Sequence, residues 1–126
     1  DIVEQFAGGS GLGVINAAVE RNVYALGSAS NQNSIASKNV PASAIEDLAK
    51  RSYDEVKSIV DGTWKPGSDL GGLKEEAVAL EYEGSEVVIP QEILDKVEEA
   101  NQKVLNGELS IPDSLEEIDG WLENLN

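Results

Sequence analysis

The sequence predicts an α/β fold, a doubly wound lobe on a parallel sheet, and three observations carry that expectation. Strand, helix and strand follow one another within the first 27 residues. A glycine-rich loop joins the first strand to its helix, and further amphipathic helical segments alternate with extended apolar runs downstream.

The first strand is read at Asp1–Phe6, followed by the loop Ala7–Gly13. Leu12, Ile15, Ala18 and Val19 recur at helical spacing from about Gly11 to Arg21. Val23–Leu26 is the second strand, with Gly27 as its stop. A βαβ unit makes the two strands parallel, so the loops after them, Gly8–Gly13 and Gly27–Gln32, emerge at one edge of the sheet. Ligands of open α/β sheets sit at that carboxyl edge.

Residues Ser28 to Lys38 are rich in Ser and Asn and read as loop. Ser43-Ala-Ile-Glu46 matches the S-x-x-E capping box, predicting a helix that runs to about Val60. Its inward stripe is Ile45, Leu48, Ala49, Ser52, Val56, Ile59 and Val60, and Gly62 and the Trp64–Gly67 turn end it. Ala77–Tyr82 is a strand, with Val87–Ile89 extended after it. Pro90 opens another helix, with Ile93, Leu94, Val97, Ala100 and Val104 inward and Gly107 as its stop. From Asp113 the tail places Leu115, Ile118, Leu122 and Leu125 on one helical face and carries five acidic residues and no basic one. The expected division is a lobe over 1–112 and an appended acidic helix over 113–126.

Composition narrows the function classes. Apolar residues make up 40% of the 126, enough for one domain with a core, and aromatics only 5%, so Val, Ile, Leu and Ala must form that core. No apolar run approaches the roughly 18 residues of a membrane span. Methionine is absent and the chain opens directly on Asp1-Ile2-Val3, so a piece of a longer chain is expected. Cysteine and histidine are absent too. Disulfides, thiol nucleophiles, Ser-His pairs and the usual zinc sites therefore cannot be built from this chain alone. A net charge of −15 opposes binding to nucleic acid or to anionic membrane surfaces, and its plainest consequence is solubility.

The glycine loop fails the dinucleotide fingerprint. Counted from Gly9 and Gly11 the sixth position is Val14, and from Gly11 and Gly13 it is Asn16. No G-x-x-x-x-G-K-[ST] follows either. What remains is a turn that either admits a ligand to the backbone or merely packs tightly. The adjacent carboxylates Glu75-Glu76, Glu98-Glu99 and Glu116-Glu117 read as solvated faces. Glu46, expected in the first turn of a helix, has two open readings, as a ligand contact or as a carboxylate favoured by capping and the helix dipole. Trp121 is expected to dock on the lobe or on a partner.

Several ordered segments resemble the basic membrane protein (BMP) family of lipid-anchored ABC-transporter substrate-binding components, which includes purine-nucleoside receptors. They are Ala7-Gly-Gly-Ser-Gly-Leu-Gly-Val-Ile-Asn-Ala-Ala18, Val23-Tyr-Ala-Leu-Gly27 and Tyr53-Asp-Glu-Val-Lys57. Gly62-Thr-Trp-Lys-Pro-Gly67, Gly72-Leu-Lys-Glu-Glu-Ala-Val-Ala-Leu80 and Pro90 to Pro112 continue the series. The resemblance covers roughly residues 1–112 and implies the C-terminal lobe of a type I periplasmic-binding-protein fold, whose two lobes close over a solute without covalent chemistry. It implies Gly8, Gly9, Ser10, Ala29, Asn31 and Glu46 as the ligand-facing positions.

Three of these depart from the family pattern. Where members read Gly-Val-Asp-x-Asp-Gln, this chain reads Gly27-Ser-Ala-Ser-Asn-Gln32, so Ala29 replaces the Asp that holds ribose and Asn31 replaces the second Asp. Glu46 corresponds to a family Lys near the start of the next helix. Losing two charged hydrogen bonds weakens nucleoside binding by about 10²–10⁴-fold.

The expected function is extracytoplasmic solute binding for an ABC importer, with a nucleoside or related small solute as ligand. Permease subunits are the expected partners, and the membrane link is an N-terminal lipid anchor of the parent protein. No catalytic residue, metal or cofactor is expected. The alternative is a sensory, regulatory or structural protein with an altered or empty cleft.

Overall fold

The structure, a computed structural model, describes residues 1–68, 70–112 and 114–123. It forms two compact units, Asp1–Ile89 and Pro90–Asn126.

The first unit is an α/β sheet structure. Its elements are β1 (Ile2–Glu4), α1 (Gly11–Arg21), β2 (Tyr24–Ala29), β3 (Ser43–Glu46), α2 (Leu48–Val60) and β4 (Val78–Glu81), with short 3-10 turns at Gly8–Ser10 and Asn33–Ile35. The sheet order is β1-β2-β3-β4. β1 and β2 are parallel, Val3 opposite Ala25, and β2 and β3 are parallel, Ser28 opposite Ala44. β4 runs antiparallel to β3, Ala79 opposite Ile45. An antiparallel edge strand on an otherwise parallel sheet is common in such folds.

The βαβ unit forms as the spacing predicts. α1 spans Gly11–Arg21 and closes on Asn22, whose left-handed backbone (φ 52°) turns its amide back to the carbonyls of Ala18 and Val19. Its inward line is Gly11, Ile15 and Ala18. Ile15, Ala18, Ala25 and Val40 make the core, with Val23 and Ala36 packed against it. Leu12 and Val19, expected to face inward, are nearly half exposed, because one narrow stripe is all that a helix against small strand residues buries. β2 runs through Gly27 to Ala29 instead of stopping at Gly27.

The capping-box expectation is overturned. Ser43–Glu46 is β3, and α2 begins at Leu48 with Asp47 as its N-cap, whose carboxylate accepts the Lys50 amide at 2.7 Å. The Ser43 hydroxyl is committed inward and unavailable for a cap. The expected buried stripe of α2 is overturned as well: no α2 residue is buried, and Leu48, Val56, Ile59 and Val60 are all more than half exposed. Val87–Ile89 forms no ladder.

The second unit holds α3 (Gln91–Asn106) and α4 (Leu115–Glu123). Pro90 is the N-cap of α3, not its first helical residue, with ψ 138°, and Gly107 (φ 76°) closes it through amide bonds to Lys103 and Val104. α4 carries Leu115, Ile118 and Leu122; Leu125 lies outside the described residues. Trp121 is half-buried, and its indole N–H is sequestered without an acceptor among the described residues. No helix among the described residues is long and apolar enough to cross a membrane.

Candidate functional site

Three parallel strands end at one edge, so the segments that follow them converge there. β1 leads into the glycine loop, β2 ends at Ala29, and β3 ends at Glu46. Together they enclose a hollow of about 330 Å³, within the size range of small-molecule sites. Phe6 and Leu12 supply its apolar wall, and Gly8 and Gly9 supply backbone. Ser28, Ala29, Ser30 and Gln32 form the β2 side, and Glu46 completes the rim.

Four of the six residues singled out in the sequence line this hollow: Gly8, Gly9, Ala29 and Glu46. Ser10 lies along a separate groove beside Val14 and Ala17. Asn31 is occupied elsewhere: its Nδ2 donates to the Glu83 carbonyl at 3.0 Å and its Oδ1 accepts the Asn33 amide at 3.0 Å. Glu46 reaches the hollow as the last residue of β3, not from the first turn of a helix.

Sequence reasoning missed the layer beneath. Gln5 is 3% exposed and ties three segments together. Its Nε2 donates to Ser28 Oγ at 3.0 Å and to Gln32 Oε1 at 2.9 Å, and its Oε1 accepts the Ala7 amide at 2.9 Å. Gln32 Oε1 also accepts the Ser28 amide at 3.1 Å, while the Gln32 amide donates to Ser43 Oγ at 3.0 Å. The fully buried Ser43 hydroxyl donates to Asn33 Oδ1 at 2.7 Å, and Asn33 Nδ2 donates to the carbonyls of Glu81 and Glu83, each at 2.9 Å. This chain of bonds stitches the ends of all four strands beneath the hollow. Each member satisfies the next, so loss of one leaves a buried polar group unpaired at about 1–3 kcal/mol.

Two glycines make room for that layer. A Cβ on Gly11 would fall 2.0 Å from Gln5 Oε1, and one on Gly27 would fall 2.3 Å from Ser43 Oγ. The glycines were the visible signal; Gln5 lay in a run read as a strand, Ser43 in one read as a helix cap, and Gln32 and Asn33 in a stretch read only as polar loop.

The hollow holds a single ionisable side chain, Glu46. Among the described residues no group of three or more His, Cys, Asp or Glu gathers to hold a metal ion. The arrangement supplies backbone polar groups, hydroxyls, an amide, a carboxylate and an apolar wall, which are the means of binding a small polar solute.

The fold is that of a lobe of the periplasmic-binding-protein build. A crystal structure of ABC transporter system solute-binding proteins from Aeropyrum pernix K1 shares the fold with TM-score 0.73 at 22% identity, over 98% of this chain and 44% of that one. A transcriptional activator of the comK gene from Bacillus halodurans shares it with TM-score 0.72 at 19% identity, over 82% of this chain and 36% of that one. The sequence narrows the class further. The family model for PnrA-like ABC transporter substrate-binding proteins, Bmp, matches residues 1–115, and the chain belongs to that family.

Basic membrane protein C of Borreliella burgdorferi (strain N40) is 31% identical over 117 residues, 90% of this chain and 33% of the relative. An uncharacterized lipoprotein of Pyrococcus abyssi (strain GE5 / Orsay) is 41% identical over 54 residues, 43% of this chain and 13% of the relative. The chain thus spans about a third of the length of the Borreliella relative.

Proposed function

We propose that this chain supplies one wall of a cleft that encloses a nucleoside or related small solute, in an extracytoplasmic, lipid-anchored protein that delivers the solute to an ABC permease. The observation that carries the reading is the hollow at the shared carboxyl edge of β1, β2 and β3, on a floor pinned by buried amides, in a chain of a substrate-binding family. Solute binding by closure of a second wall needs no covalent step, and none is assigned. Lipoproteins among the relatives support the anchor.

The altered contacts favour one other reading, a sensory or regulatory protein that keeps the fold with a changed cleft. Ala29 offers no side-chain acceptor where the family has Asp, and the fold is shared with a protein named as a transcriptional activator.

Titration of the ¹⁵N-labelled chain with inosine, guanosine and adenosine tests the first reading. Amide shifts are expected at Gly8, Gly9, Ser28, Ala29 and Ser30, with dissociation constants of roughly 0.1 mM or weaker, because one wall forms only part of the contacts. Shifts confined to other regions would reject this site. Submicromolar affinity would show that the single wall is sufficient and the closure mechanism unnecessary.

A further inference from the structure

We propose that the hollow is selective for a solute bearing a protonated amine directed at Glu46, and that it rejects anionic solutes. The inference rests on the solute-binding reading above and assigns the ligand's charge and the residue that reads it.

Glu46 is the one ionisable side chain lining the hollow. Among the described residues its carboxylate holds no hydrogen bond or ion pair, whereas Asp54 in α2 and Asp61 at its C-terminal cap do. Lys50 Nζ is bonded to Asp54 at 2.6 Å, and Lys57 is bonded to Asp61. Glu46 therefore presents an unneutralised negative charge to whatever enters. An anion beside it would meet repulsion, screened by water because Glu46 is exposed. A cation would meet an acceptor free for a charge-assisted hydrogen bond.

Gln32 Oε1 is already spent on Gln5 Nε2 and the Ser28 amide. The side-chain Nε2 of Gln32 has no acceptor among the described residues, whereas its backbone N–H donates to Ser43 Oγ. The β2 side thus offers donors for a neutral acceptor on the ligand, and Glu46 stands alone as a strong acceptor. Phe6 is 71% exposed and Leu12 46% exposed, although both line the hollow. An aromatic face at a site with one carboxylate suits a planar ring or an ammonium, both of which an aromatic ring attracts. The class of ligand is a planar, acceptor-bearing molecule with a protonated amine.

Three probes on one skeleton separate the outcomes: 5′-amino-5′-deoxyadenosine as cation, adenosine as neutral form and adenosine 5′-monophosphate as anion. Each is titrated into the ¹⁵N-labelled chain and into Glu46→Gln, followed at the amides of Gly8, Gly9, Ser28 and Ser30. The amine is expected to bind about tenfold or more tighter than adenosine, in line with one charged hydrogen bond, and the monophosphate more weakly than either. In Glu46→Gln the ratio of amine to adenosine affinity is expected to shrink to less than about threefold.

Equal affinity of amine and adenosine at these amides would overturn the charge assignment and leave the site intact. An undiminished advantage in Glu46→Gln would overturn it by tracing the preference to the net charge of the chain. Absence of shifts at these amides with all three probes would remove the site itself. Glu46 ends β3 exposed and unbonded, and the spectrum of the variant reports directly that it has folded.

Discussion

Ala29 shows how a single position combines strain and function. It ends β2 with φ 64°, in the left-handed region that only Gly, Asn and Asp visit readily. Asp or Asn suits that backbone, and alanine does not. Ala29→Asn is expected to raise stability by about 0.5–1 kcal/mol in urea unfolding, and Ala29→Val to lower it by at least about 1 kcal/mol. A gain for Val would show that the backbone is not held there. The sequence singled this residue out through the departure from the family pattern, and its strain was invisible because alanine carries no turn signal. The buried amides were invisible for a related reason. Gln32 and Asn33 are polar residues in polar surroundings along the chain, Gln5 lies in a run read as a strand, and only the convergence of strand ends bonds them together.

At the scale of elements, the βαβ unit was legible because its helix announces itself by spacing and its strands by apolar runs. β3 was not. Ser43-Ala-Ile-Glu46 satisfies a capping motif and a short strand equally, and the choice turned on where the Ser43 hydroxyl found its partner, Asn33. Asp47 then capped α2, so Asp47→Ala is expected to cost about 1 kcal/mol by thermal or urea unfolding, and Ser43→Ala to behave as the loss of a buried hydrogen-bond member instead of a cap.

Helix α1 offers a sharper contrast within itself. Gly11 and Gly13 are both helical glycines, but a Cβ at Gly13 meets nothing within 4 Å, whereas one at Gly11 meets the Gln5 amide. Gly13→Ala is expected to stabilise by up to about 1 kcal/mol through helix propensity. Gly11→Ala receives the same propensity gain and is expected to destabilise nonetheless, by about 1–3 kcal/mol, because the buried amide must give up its bonds. Equal effects from the two substitutions would mean that Gln5 is not held where its three bonds place it.

At the scale of the whole molecule, charge dominates. Asp and Glu number 24 against 9 Lys and Arg, so most carboxylates have no cation to meet, and the net repulsion of −15 opposes compactness. The surface pairs Lys50–Asp54 and Glu99–Lys103 lose little when salt is added, since exposed pairs contribute little to begin with. The repulsion loses more, because the Debye length falls from about 30 Å at 0.01 M to about 8 Å at 0.15 M. Raising sodium chloride over that range is therefore expected to raise the melting temperature by about 3–6 °C. Sodium chloride is the appropriate salt, since sulfate would add a separate effect through surface exclusion. Binding of the cationic nucleoside should move the other way, because the same screening weakens its attraction to Glu46 and to the chain's field. One salt titration then has two readouts of opposite sign, the melting temperature rising and the amine's affinity falling, with adenosine affinity nearly constant. If amine and adenosine affinities instead moved together, the change would reflect stabilisation of the lobe, and the carboxylate at the end of β3 would have no part in recognition.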